Sequence, residues 1–144
     1  MSVAATNCDA PSVIRWSLDQ LGEHRVRVRL ISPSVMEAET GTADVYGYAE
    51  PELLTFSTGI RCRYLAATVA HEVAHVWQYR ATGASDLYAA LGHDHAEIVA
   101  DCTAMSTGWM DYRPYLTARQ REIGQVGCTG AELTVAAELR RWAR

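Results

Sequence analysis

Apolar positions change period several times along this chain, and each change marks an element. From Ser12, a residue suited to cap a helix, Ile14, Leu18 and Leu21 recur at helical spacing until Gly22 ends the run. Residues 25–31 alternate instead: Val26, Val28 and Leu30 face one way, and Arg25, Arg27 and Arg29 the other. That is the pattern of a half-buried strand whose arginines form a solvated face. Residues 32–43, with Pro33, Thr40, Gly41 and Thr42, are polar and read as a loop. Two extended runs, 45–49 and 53–57, flank Glu50-Pro51-Glu52 and predict a strand pair or one bent strand.

Beyond Gly59 the period becomes helical. A long helix over 61–80 carries the stripe Leu65, Val69, Val73 and Val76, with Trp77 beside it. Gly83 stops it, and a connection rich in Ala, Gly and Asp runs to Asp94. A second helix over 95–109 has the stripe Ile98, Cys102, Met105 and Trp109, and residues 111–114 break it. Thr117 with Gln120, and Thr129 with Glu132, have capping-box spacing and open two final helices, the last burying Val135, Leu139 and Trp142. No repeat or linker divides the 144 residues. Strands before residue 60 and helices after it predict one α+β domain.

An apolar content of 49% with 21% charged residues describes a folded chain rather than a disordered one. The net charge of −4 argues against nucleic acid as a partner. No apolar run reaches the length of a membrane span. Cys8, Cys62, Cys102 and Cys128 in a short chain predict two disulfides and an oxidising compartment. The first five residues lack the basic start and apolar stretch of a signal peptide. Both observations agree if a signal ahead of the chain has been removed, so the expectation is a secreted or extracytoplasmic protein. The competing reading is four free, buried thiols in a reducing compartment.

His71-Glu72-Val73-Ala74-His75 is an HExxH motif. On a helix the two histidines project from one face, close enough for both imidazoles to bind one metal, and Glu72 can act on a water there. That face differs from the apolar stripe, so the stripe can pack while the metal face lines a cleft. A catalytic zinc takes three protein ligands and keeps one position open. No histidine follows at HExxHxxGxxH spacing, but Glu97 and Asp101 lie one turn apart on the next helix. Glu97 would be the third ligand, and Asp101 would accept the free N–H of a ligand histidine.

Alternatives stay open in the sequence. Asp94 and Glu97 have capping-box spacing, so Glu97 could cap its helix, and His93 or His95 could take its place as ligand. Tyr79, Tyr88, His93, His95, Tyr112 and Tyr115 are all candidate donors to an oxyanion. Trp77 and Trp109 are expected in the core.

HExxH followed by ExxxD resembles the gluzincins, the thermolysin-like zinc peptidases. The chain is also similar to the small neutral zinc metallopeptidases, in which HExxH and a following glutamine precede a helix reading roughly ExxADCxA. Here these are His71 to His75 with Gln78, then Glu97, Ala100, Asp101, Cys102 and Ala104, within residues 60–110. The resemblance implies a zincin-like domain: a small sheet, an edge strand from 45–57 over the cleft, the HExxH helix beneath it, and a helical lower part. It also implies Zn2+ on His71, His75 and Glu97, and a peptide or protein substrate that pairs with the edge strand.

If the two site helices run antiparallel with Asp101 beside His71, Cys102 lies near residue 70. Cys62 is then about 12 Å further along the helix, beyond disulfide reach. The expected pairing is Cys8–Cys62 and Cys102–Cys128. The function expected is that of a zinc endopeptidase with Glu72 as general base and then acid. Its rival is a secreted, non-catalytic binding module that keeps the metal for its fold.

Overall fold

A computed structural model describes residues 8–109 and 113–144. Helix α1 (Ala10–Leu21) begins before Ser12, because Asp9 stands at the N-cap and Pro11 in the first turn. Ser12 instead donates to Asp9 Oδ2 at 2.7 Å, and Gly22 closes the helix in the left-handed conformation at φ 74°. In strand β1 (Arg27–Ile31), Leu30 packs against the core, as Val26 does just ahead of it. Val28 does not: it is 38% exposed, because β1 is an outer strand of the sheet.

The stretch read as a loop contains helix α2 (Pro33–Thr40). Ser32 caps it by accepting from the Val35 N–H, Pro33 fits the first turn, and Gly41 ends it. Only Met36 is buried on this helix, so no apolar stripe announced it.

Strands β2 (Gly47–Glu50) and β3 (Leu53–Ser57) form the expected pair. The order is β1-β3-β2, with β3 parallel to β1 and antiparallel to β2, so β2 is a free edge. Leu54, Thr55 and Phe56 are fully buried, because β3 is covered on both faces. On the outer face Arg29 grips both carboxylate oxygens of Glu39 at 3.0 and 2.6 Å, reaches Tyr48 Oη, and donates from Nε to Thr55 Oγ1. Part of the arginine face is therefore a clamp. A Cβ at Gly47 would stand 2.9 Å from the Phe56 ring and 3.2 Å from the Thr55 carbonyl, so only glycine lets β2 lie this close.

Helix α3 (Cys62–Thr82) is buried at every position from Leu65 to Gln78. It forms the centre of the domain, with the sheet on one side and α1 against another. Each of Leu65, Val69, Val73 and Val76 contributes about 1.5–3 kcal/mol by leaving water. The connection after Gly83 holds a short helix, α4 (Leu87–Leu91), capped by Asp86. Helix α5 (His93–Ser106) ends before Trp109, whose ring packs on Trp16 at 5.2 Å. Helix α6 (Pro114–Ile123) starts before Thr117, whose hydroxyl donates to the Arg113 carbonyl. Helix α7 (Gly130–Leu139) opens with the expected Thr129–Glu132 capping box; it buries Leu139, while Val135 and Trp142 are half-buried.

The disulfides are Cys8–Cys62 and Cys102–Cys128, with Cα separations of 5.8 and 6.0 Å, and no cysteine is free. They fit an oxidising, extracellular setting. Among the described residues no helix is long and apolar enough to cross a membrane.

Candidate metal centre

His71 meets Asp101 while Gln78 meets Ala96, so α3 and α5 run antiparallel and bring the two motifs face to face. His71 Nε2 lies 3.2 Å from Glu97 Oε2, and His75 Nε2 lies 2.8 Å from Glu97 Oε1. The three ligand atoms fall within 4.8 Å of one another, and all three residues are buried. Glu97 is thus no helix cap: α5 starts at Gly92 without a side-chain cap. His93 pairs with Asp94 at the protein surface, and His95 lines a separate hollow with Leu91 and Trp142, so neither histidine belongs to the group.

The orientation of each imidazole is fixed from behind. Gln78 Nε2–H donates to the Ala96 carbonyl at 3.1 Å, which turns Oε1 toward His75 Nδ1 at 2.8 Å. Asp101 Oδ1 accepts from His71 Nδ1–H at 2.7 Å. Asp101 Oδ2 accepts from the Tyr115 and Leu116 N–H groups at 2.8 and 3.0 Å. These amides belong to the first turn of α6, so Asp101 caps that helix from a neighbouring one. The arrangement explains why α6 begins at Pro114 with no cap from Arg113.

With both Nδ1 atoms committed as donors, both Nε2 lone pairs face the Glu97 carboxylate. Acceptor then opposes acceptor, and only a proton or a cation between them makes the contact favourable. Burial alone would lower the His71 pKa, but its hydrogen bonds to Asp101 and Glu97 outweigh that and carry it to about 10. Burial would raise Glu97, yet the two imidazoles hold it far below the usual carboxylate range. Burial pushes Glu72 up against the pull of both histidines. Glu72 Oε1 lies 3.8 Å from His71 Nε2, and its Oε2 has no hydrogen-bond partner among the described residues. The buried donor set His71, His75, Glu97 can hold a metal ion.

A cleft of about 950 Å³ opens onto the group, roofed by Tyr46, Gly47, Tyr48 and Ala49. The Ser57 N–H donates to the Tyr46 carbonyl, which sets the phase of the ladder. Tyr48 and Glu50 therefore turn their backbone groups to β3, while Gly47 and Ala49 turn theirs to the free edge.

Of the candidate oxyanion donors, Tyr88 donates to Glu97 Oε1 at 2.8 Å, and the Tyr115 ring stacks on His71 at 5.9 Å. Burial first, and the nearby Glu97 next, raise the pKa of both phenols, which keeps them protonated. Tyr79 also lines the cleft, and Tyr112 lies outside the described residues. Trp77 is fully buried and donates to Glu23, as a core residue should. Sequence reasoning missed Tyr46, whose only signal was an aromatic beside an edge strand. Gln78 had a clearer signal, since three-residue spacing from His75 puts the two on one helical face.

Neither a protein-family model, nor a curated protein, nor a solved structure matches this chain.

Proposed function

We infer that this chain is a zinc-dependent peptidase of gluzincin type, with a zincin-like fold and an endopeptidase cleft. One observation carries the reading: two imidazole Nε2 atoms converge on Glu97 while a buried Glu72 oxygen, without a hydrogen-bond partner among the described residues, stands beside them. His71, His75 and Glu97 would hold the ion, and two imidazoles with a carboxylate suit zinc. When bound, zinc supplies Lewis acidity toward a water and toward a peptide carbonyl.

The chain's own residues do the rest. Glu72, its pKa raised by burial, is suited to take a proton from water at Oε2 and return it to the leaving amine. Tyr88 and Tyr115 line the cleft, and a phenolic O–H would serve the oxyanion that forms, in the case of Tyr88 by turning away from Glu97. Asp101 and Gln78 keep the imidazoles aimed. The outward backbone groups of Gly47 and Ala49 can pair with an extended peptide. Two disulfides support a secreted setting.

Burial of the metal group favours a second reading, a non-catalytic module in which the metal only holds the fold. Glu72 argues against it, because a closed structural site has no use for an extra buried carboxylate. The test is zinc content and cleavage of a mixed peptide library by wild type and Glu72→Gln. The peptidase reading expects stoichiometric zinc in both proteins and chelator-sensitive cleavage by the wild type alone. Zinc in both with cleavage by neither would support the module.

A further inference from the structure

A second hollow, of about 630 Å³, adjoins the cleft on the amino-terminal side of the metal group along α3. Tyr46, Thr68 and Pro114 border both spaces. Its walls carry Arg61, Arg113 and Arg121 beside Tyr64, and among the described residues no carboxylate lines it. Three arginines elsewhere, Arg29, Arg80 and Arg119, close on Glu39, Glu23 and Glu132. Arg61 and Arg121 have no ion pair or side-chain hydrogen bond among the described residues. In a chain of net charge −4, the Arg61 and Arg121 guanidinium groups beside one hollow make a local positive field that an anion would relieve.

We propose that this hollow is a specificity subsite for a peptide carboxylate, either an acidic side chain or the peptide's own terminal carboxylate. The proposal rests on the peptidase reading for its substrate. Reach along α3 sets the position. Thr68 precedes His71 by about 4.5 Å of helix and Arg61 by about 15 Å. An extended peptide advances about 3.4 Å per residue, so the arginines address a group within about four residues of the bond cleaved. The planar guanidinium fork suits a carboxylate, which it can hold through two parallel N–H bonds. Arg63 stacks on the Tyr64 ring at 4.5 Å, which stiffens that wall.

The experiment uses peptides that differ only in Glu against Gln at each position around the cleaved bond, and a pair with free or amidated carboxyl terminus. Cleavage is measured as kcat/KM for wild type, for Arg61→Ala with Arg121→Ala, and for the matching double lysine variant. Binding of the same peptides is measured separately by fluorescence anisotropy on zinc-loaded Glu72→Gln with and without the arginine changes. The wild type is expected to prefer the acid by about tenfold at one position, the sum of two partly exposed ion pairs. That ratio should collapse toward one in the alanine variant and recover in part with lysine. The amidated pair shows whether the group recognised is a side chain or the terminus.

An arginine-dependent acid preference in binding, with no cleavage by wild type, keeps the subsite and overturns the peptidase reading. Cleavage whose acid preference is absent, or survives loss of both arginines, overturns the subsite and keeps the peptidase. Absence of an arginine-dependent preference in both measurements also overturns the subsite.

Discussion

Gln78 Oε1 lies 2.8 Å from His75 Nδ1, and this contact decides which nitrogen of His75 faces the cleft. The Gln78 amide cannot turn over freely, since its Nε2–H is held by the Ala96 carbonyl on α5. Partners behind a ligand histidine typically set metal affinity by roughly 10–100-fold. Gln78→Leu should therefore weaken zinc by that order while circular dichroism reports an intact fold. Gln78→Glu keeps the acceptor and should hold affinity near the wild type. Competition against a chelator measures both, and undiminished zinc affinity in Gln78→Leu would show that His75 is oriented by something else.

Glu97 completes the three-residue group, so its removal should erase the response of the fold to metal. A ligand that binds only the folded state adds about 2.7 kcal/mol at a hundredfold excess over Kd. Wild type should gain that stability on zinc addition and lose it to chelator. Glu97→Ala should melt alike in both conditions. If Glu97→Ala keeps the full zinc response and His93→Ala or His95→Ala loses it, the third ligand is a histidine.

The elements that the sequence made legible share a cause: they are amphipathic or carry a local cap. The α3 stripe and the Thr129–Glu132 box follow from spacing alone, whereas spacing leaves 45–57 as a strand pair or one bent strand, and the disulfide pairing follows only once Asp101 is set beside His71. Helix α2 was hidden because it buries a single side chain, so its caps were the only signal and Pro33 with Gly41 looked like loop chemistry. The true start of α6 was hidden for a different reason. Its cap is Asp101, thirteen residues before Pro114 and on another helix, and no local pattern encodes a cap supplied through space. The metal group itself was legible since HExxH and ExxxD each lie within two helical turns. The tyrosines were not separable, as their reach into the cleft depends on where α4 and α6 dock.

Glu132 gives the stability a defined acid limb. It accepts two N–H groups of Arg119 at 2.6 and 2.8 Å and the Thr129 N–H at 2.8 Å. The Arg119 guanidinium, and then the Thr129 amide, hold its pKa down to about 2 against the opposing effect of burial. A depressed folded pKa contributes stability above the unfolded value of 4.5 and loses it as pH falls toward 2. Solvent at the rim screens the pair, which brings the contribution to on the order of 1 kcal/mol. Urea unfolding with zinc removed from both proteins should show Glu132→Gln weaker at pH 7, and the gap should close between pH 4.5 and 2. A gap that stays constant over that range would mean the carboxylate charge is not what stabilises α7.

Glu23 is the harder test of what holds the domain together, because it is a carboxylate only 1% exposed. Its Oε1 accepts from Trp77 Nε1 at 3.0 Å and Arg80 Nη1 at 2.5 Å, and its Oε2 from Arg80 Nη2 at 2.9 Å and Val26 N–H at 3.1 Å. One side chain thereby joins the end of α1, the approach to β1 and the last turns of α3. Burial would raise its pKa, but the hydrogen bonds from Arg80 and Trp77 lower it overall. Removing one partner of such a pair leaves the other charge buried, at a cost of about 3–5 kcal/mol. Glu23→Ala should accordingly lose a large fraction of the roughly 5–15 kcal/mol usual for a folded domain, through an unpaired Arg80 and an orphaned Trp77 N–H. Glu39→Ala breaks an ion pair of similar geometry whose side chains are 39% and 34% exposed, and water can replace what is lost. Urea midpoints of the two variants decide the matter. A loss in Glu23→Ala no larger than in Glu39→Ala would mean that burial, not pairing geometry, has been misjudged as the source of its weight.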